Sequence, residues 1–268
     1  MPKTTCFAKK IYVALIFIFL YAPIATLIVL SFNASKTRAK WGGFTMKWYA
    51  SLLQDETILN ALGTTLLIAL LSALAASVIG TAACISISGM KRRSRAVFMG
   101  ITNIPMLNAD IVTGISLMLL FISFGLRFGF GTVLLSHITF NIPYVILSVF
   151  PRMKQLNPSV YEAALDLGAS PLTAFFRVML PDLMPGILSG FLMAFTMSLD
   201  DFIITHFTKG SGINTLSTKI YTEVRKGIKP EMYALSTIIF VTVLVLLLLV
   251  NVMPDKAQKE KARRQKHI

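Results

Sequence analysis

A chain of 268 residues that is 55% hydrophobic and 14% charged, with mean hydropathy +0.70, is too apolar for a water-soluble domain and reads as an integral membrane protein. Its net charge of +14 resembles that of a nucleic-acid binder, but the positions of the Lys and Arg residues follow membrane topology and suit anionic lipid, so no nucleic-acid partner is expected. Two cysteines, Cys6 and Cys84, have no metal-ligand spacing and argue against a metal site or a disulfide framework.

Six apolar runs are long enough to cross a hydrocarbon core of roughly 30 Å, which takes about 20 helical residues. They lie near 11–31, 61–88, 97–123, 132–150, 183–207 and 232–253, within one transmembrane domain over 1–268. Alternating strands are absent, so all six are predicted as helices and the fold class is an all-α membrane protein. The first run follows Lys3, Lys9 and Lys10 as a secretory signal would. Its apolar length exceeds the about 7 to 15 residues of such a segment and no small-residue cleavage site follows, so it is expected to be a retained anchor. With the amino terminus cytoplasmic, inner segments hold 16 of the 26 Lys and Arg, six of them in the tail from Lys256 to Lys266. The outer loops hold 10, including Lys36 and Arg38, and this bias places both termini in the cytoplasm.

Along the second helix, Ser72, Ala76 and Gly80 form one small-residue stripe and Ala69, Ala73 and Ser77 another, which permits tight helix packing. The third carries Asp110, about 13 residues and hence about 20 Å from its inner end. On the fourth, His137 and Asn141 lie four apart on one face, where they either line a pathway or, as their residue types favour, join helices by hydrogen bonds.

An ionised carboxylate deep in a membrane helix costs about 2.5 to 3.5 kcal/mol, so Asp110, Asp200 and Asp201 each require a reason. Asp200 lies about 25 Å up the fifth helix, close to the depth expected for Asp110. Adjacent helical residues diverge by about 100°, so one of Asp200 and Asp201 is expected to face a translocation path and the other to be neutralised at a helix contact. No Lys or Arg lies within the membrane part of any helix, which favours a cationic substrate; the alternative is protonated acids hydrogen-bonded between helices.

The cytoplasmic insert 157–181 is polar and punctuated by caps. Asn157 before Pro158 and Ser170 before Pro171 are two helix starts, Gly168 suits a left-handed C-terminal cap, and Pro181 is expected to end the second short helix. Val160, Ala163, Ala164 and Leu167 make an apolar stripe on the first, and Leu172, Phe175, Phe176 and Met179 one on the second. One stripe is expected to pack on the protein's own helix ends and the other to fit a partner, unless the hairpin simply lies on the membrane surface.

The order Glu162-Ala163-Ala164, then Gly168, then Val178 and Leu180-Pro181 closely resembles the EAA loop of permease subunits of binding-protein-dependent ABC importers, with Val178 in place of the usual isoleucine. The resemblance implies a type I ABC importer permease (MetI-like) fold of six transmembrane helices, with this loop seated in a cleft of an ATPase dimer. The chain has no phosphate loop of the form G-x-x-x-x-G-K followed by Ser or Thr, so ATP and Mg are expected on that partner and no cofactor on this chain. His137, Asp200 and several serines supply the residue types of a hydrolase triad, but no G-x-S-x-G elbow or H-E-x-x-H pair is present and no catalytic residue is expected.

NADIV around Asp110, SHITF at 136–140, SLDDF at 198–202, SFNASK near the start and FTMKWY at 44–49 resemble the second permease of spermidine/putrescine importers over essentially the whole chain. The resemblance implies a bacterial inner-membrane location, a second homologous permease, an extracytoplasmic polyamine-binding protein, and a substrate pathway of Asp110, Asp200 and Asp201 with His137 and Asn141. Lys209, Lys219, Arg225, Lys226 and Lys229 in the last outer loop then either receive acidic residues of that binding protein or belong to a solvated loop.

Overall fold

The computed structural model describes residues 3–35, 40–226 and 229–245, with side chains from Lys10 onward except that of Pro158. Lys36, Arg38, the end of the run 232–253 and the basic tail from Lys256 to Lys266 lie outside the described residues, as do the side chains of Lys3, Cys6 and Lys9. Two compact units form, one from the chain up to Leu59 together with the stretch from Ile220, the other from Asn60–Lys219.

In the first unit, α1 (Lys3–Ser31) is exposed along its apolar length, as a helix in hydrocarbon should be. A short turn follows in which Asn33 pairs with Phe44 in a single antiparallel bridge. The Trp48 indole N–H donates to the Asn33 carbonyl at 2.7 Å, the Ser31 and Tyr49 hydroxyls meet at 2.6 Å, and Phe32 stacks on Phe44. The segments SFNASK and FTMKWY are thus packed on one another ahead of α2 (Lys47–Gln54). Ser51 on α2 donates to Glu231 at 3.1 Å, beside the apolar helix Pro230–Val245, here α12.

The second unit holds most of α3 (Glu56–Ser88), then α4 (Arg92–Leu107), α5 (Asp110–Ser123), α6 (Phe130–Gln155), α7 (Pro158–Asp166), α8 (Pro171–Ala174), a π-helical turn (Phe175–Met179), α9 (Leu180–Asp200) and α10 (Ile203–Thr208). Helix α11 (Leu216–Lys226) continues from it into the first unit. The core lies where α3, α6 and α9 meet, around Ala73, Ala76, Cys84, Val145, Val149, Leu183 and Ala194. Close approach explains the small-residue stripe on α3. A Cβ built on Gly80 would stand 2.8 Å from Val145 Cγ1, well inside van der Waals contact.

Among the described residues four helices are long and apolar enough to cross a membrane: Lys10–Ser31, Glu56–Ser88, Phe130–Gln155 and the continuous stretch Pro171–Asp200. The run 97–123 is not one straight helix, because α4 and α5 meet at an angle of 103°; counted together they make a fifth span. Pro105 weakens the last turn of α4, and Asn108 and Ala109 adopt extended backbone (ψ 150° and 138°) before Asp110 opens a new helix. The run 183–207 is likewise divided, since Asp201 is extended (ψ 123°) between α9 and α10.

Pro181 does not end a helix as expected. The turn before it opens to π geometry, with the Leu180 N–H reaching the Phe175 carbonyl five residues back. This wider turn makes room for the proline ring, which a regular α-turn would drive against the carbonyl four residues earlier. The hairpin's second helix therefore runs without interruption into α9.

Candidate functional site

Both helix breaks fall at aspartates. Asp110 is the first residue of α5, where the unpaired N–H groups and the helix dipole favour a carboxylate, and its side chain is exposed. Asp200 is the exposed last residue of α9, and both Asp110 and Asp201 lie within its electrostatic reach. Helix α10 packs against α5 and α6, so the break before Asp110 and the break after Asp200 belong to neighbouring helices. Depth estimates that assumed straight helices do not apply, because both runs are divided at these acids.

Asp201 is committed to protein contacts. Its Oδ1 accepts from the Ile204 N–H at 3.2 Å, and its Oδ2 accepts from the Thr205 N–H and hydroxyl, each at 2.8 Å. His137 Nε2 stands 2.9 Å from the Thr205 hydroxyl oxygen and 3.4 Å from Asp201 Oδ2. Because Thr205 spends its proton on Asp201, Nε2–H is the donor to Thr205. His137 Nδ1 meets the Ser198 hydroxyl at 2.5 Å; Ser198 lies 3.2 Å from Ser72, which accepts from Asn141 Nδ2 at 3.4 Å. His137 and Asn141 are 1% and 0% exposed. This chain of polar groups links α10, α6, α9 and α3 through the middle of the unit.

Of the five residues assigned to a pathway, Asp110, Asp200 and Asp201 stand at the breaks of neighbouring helices, and His137 is tied to Asp201. Asn141 sits at the far end of the network, against α3. Sequence reading did not pick out Ser198 or Thr205. The available signal was spacing: Thr205 follows Asp201 by four residues, and Ser198 precedes it by three.

The second site is the hairpin over 157–181. Asn157 caps α7, its side chain accepting from the Ser159 N–H at 3.1 Å, and the Ser170 side chain accepts from the Thr173 N–H at 3.3 Å. Between them Gly168 takes φ +87°, while its N–H reaches Leu165 and that of Ala169 reaches Ala164, the paired bonds of a Schellman cap. Glu162 and Ala163 are exposed and Ala164 is half-buried. The two stripes do not divide into one inner and one outer. Ala164, Phe175 and Met179 turn inward, while Val160, Leu167, Leu172 and Phe176 stay outside, Leu167 at 90% exposure. A cavity of about 750 Å³ lies beneath, between the ends of α3 and α6 and the hairpin, with Arg152, Glu162, Val178 and Asp182 on its walls.

In the last outer loop, Glu223 is nearly buried, with Lys229 at 3.5 Å and Lys226 at 3.8 Å, so part of the basic charge is balanced locally.

Long apolar helices broken at acids, with an exposed hairpin at one end, are the features of a membrane transport component. Residues 79–259 match the family described as binding-protein-dependent transport system inner membrane component, and the chain belongs to that family. The chain is 39% identical over 254 residues to the putrescine transport system permease protein PotI of Escherichia coli K12, covering 92% of this chain and 90% of that one. It is 38% identical over 237 residues to the spermidine/putrescine transport system permease protein PotC of the same organism, covering 88% and 90%. The corresponding PotC of Haemophilus influenzae is 34% identical over 250 residues, covering 93% and 97%. Among solved structures, a bacterial ABC transporter involved in alginate import superposes with TM-score 0.73 at 19% identity, covering 94% of this chain and 95% of that one. An amino acid ABC transporter gives 0.58 at 16% identity, covering 80% and 100%. The fold is therefore that of an ABC importer permease, a multi-pass component of the inner membrane.

Proposed function

We propose that this chain is the permease subunit of an ATP-driven ABC importer that moves polyamines into the cytoplasm, and that Asp110 and Asp200 supply the negative charge its cargo meets. The supporting observation is that three carboxylates stand at two helix breaks whose helices, α5 and α10, pack on one another, with no Lys or Arg in the middle of any described span. Polyamines carry ammonium groups along a methylene chain, and paired carboxylates between apolar walls match that pattern. Relatives named for putrescine and spermidine transport support the same cargo. The partners of this reading are a second, similar permease, two ATPase subunits that bind ATP and Mg, and an extracytoplasmic polyamine-binding protein. Both termini lie in the cytoplasm, and the hairpin bearing Glu162, Ala163, Ala164, Gly168, Val178, Leu180 and Pro181 engages the ATPase.

The test is uptake of radiolabelled spermidine and putrescine by cells carrying Asp110→Asn, Asp200→Asn or Asp201→Asn. Asp110→Asn and Asp200→Asn are expected to cut uptake by about ten-fold or more, the scale of removing one charged partner from a low-dielectric path. Full uptake in all three would refute the cargo assignment. Uptake that persists after removal of the ATPase would identify a channel instead.

A further inference from the structure

Carboxylates account for the ammonium groups of a polyamine but give its methylene segments nothing to lie against. Helix α6 offers a surface for them. His137, Phe140 and Tyr144 are spaced three and four residues apart and so share one helix face. The His137 and Phe140 rings are 5.3 Å apart at 68°, and the Phe140 and Tyr144 rings 6.4 Å apart at 88°. His137 is fully buried and held by Ser198 and Thr205, whereas Phe140 and Tyr144 are only half-buried. In a perpendicular pair one ring presents its edge, so at least one ring face is left for another group.

The ladder runs beside the acids. Its upper end, His137, lies 3.4 Å from Asp201, and its lower end, Tyr144, is on the helix that α5, opening at Asp110, touches. Seven residues separate the two ends, about 10 Å along the helix axis. The helices that begin with or follow these acids, α5 and α10, both touch α6, whose main neighbour is α9, the helix that ends at Asp200. An alkyl chain with cationic ends suits this combination, since aromatic faces attract ammonium groups and cover methylene groups equally well.

We propose that Phe140 and Tyr144 form the aromatic wall of the substrate path, holding the methylene segments of the polyamine opposite the carboxylates of Asp110 and Asp200. This rests on the polyamine reading above. The wall discriminates by chain length, because spermidine has one more methylene segment than putrescine to lay against it.

The experiment uses the whole importer reconstituted in proteoliposomes with saturating loaded binding protein. Tyr144→Leu and Phe140→Leu are expected to lower spermidine uptake about five- to ten-fold, the scale of a desolvated cation–π interaction, and to lower putrescine uptake less. Tyr144→Phe keeps the ring and should retain both the rate and the spermidine-to-putrescine ratio. ATP hydrolysis stimulated by the binding protein should persist in all of them. Should Tyr144→Leu fail to assemble, Tyr144→Met fills a similar volume and carries the same expectation.

Wild-type rates and an unchanged ratio in both leucine variants would overturn the wall. So would equal reduction of both polyamines together with abolished stimulation of hydrolysis, which marks a packing role. Asp200→Asn measured in parallel separates the two proposals. If that variant is impaired while the leucine variants are not, only the wall falls; if Asp110→Asn, Asp200→Asn and Asp201→Asn all transport normally, the cationic cargo falls with it.

Discussion

Asp200 and Asp201 are neighbours with different tasks, and backbone geometry decides which does what. Extended backbone at Asp201 turns its carboxylate onto the first turn of α10, where two backbone N–H groups and the Thr205 hydroxyl donate to it. Asp200 keeps helical backbone and stays exposed beside Asp110. His137 extends the first arrangement by donating to Thr205, so its removal takes one hydrogen bond each from Thr205 and Ser198 in a buried site, though Thr205 keeps Asp201 and Ser198 keeps Ser72. We expect His137→Ala to destabilise the protein by about 1–3 kcal/mol, the cost of two buried hydrogen bonds lost together with the space the ring filled. Asp201→Asn should do the same by weakening the cap, while Asp200→Asn should leave stability unchanged. Thermal unfolding of the purified variants in detergent separates them, and a drop in stability in Asp200→Asn equal to that in Asp201→Asn would contradict this division of roles.

At the scale of elements, the sequence made the hairpin's caps readable and the breaks hard to read, for a physical reason. Asn157-Pro158, Gly168 and Ser170-Pro171 act within one turn of themselves, and each occupies the capping position its residue type implies. The breaks after Leu107 and Asp200 instead fall within apolar runs long enough for a single span, where Pro105 is a local sign of the first break and no proline marks the second. Only the packing of α5 on α10, together with the Asp201 cap, stabilises the divided form. Pro181 misled for the opposite reason: its local rule was overridden by a π-turn that a continuous helix into the membrane makes worthwhile. The small-residue stripe on α3 was legible, and it yields a sharp expectation. Gly80→Ala places a methyl group 2.8 Å from Val145 Cγ1 and should cost about 1–3 kcal/mol. Combining it with Val145→Ala should recover part of that cost. Simple additivity of the two substitutions in a double-mutant cycle would show that this close approach does not set the α3–α6 spacing.

Across the whole molecule, one continuous helical stretch, Pro171–Asp200, carries Val178, Leu180 and Pro181 at its cytoplasmic end and Asp200 at its other end. Thirty residues of helix are about 45 Å long, enough to transmit a displacement of the hairpin to the carboxylates as rigid-body motion. Glu162 stands on the separate helix α7, exposed on the wall of the cavity under that stretch, and takes no part in the polar network around His137. Substituting it should therefore leave the substrate path intact and disturb only its drive. We expect Glu162→Ala to lower uptake of spermidine and putrescine by the same factor, about ten-fold, because the ATPase-engaging hairpin proposed above would lose one charged group. Either the ATPase should copurify less well with the tagged chain, or hydrolysis should continue uncoupled from uptake, while binding-protein docking persists. A changed spermidine-to-putrescine ratio in Glu162→Ala would be the contrary result, placing this residue in cargo selection and breaking the separation between the two ends of the lever.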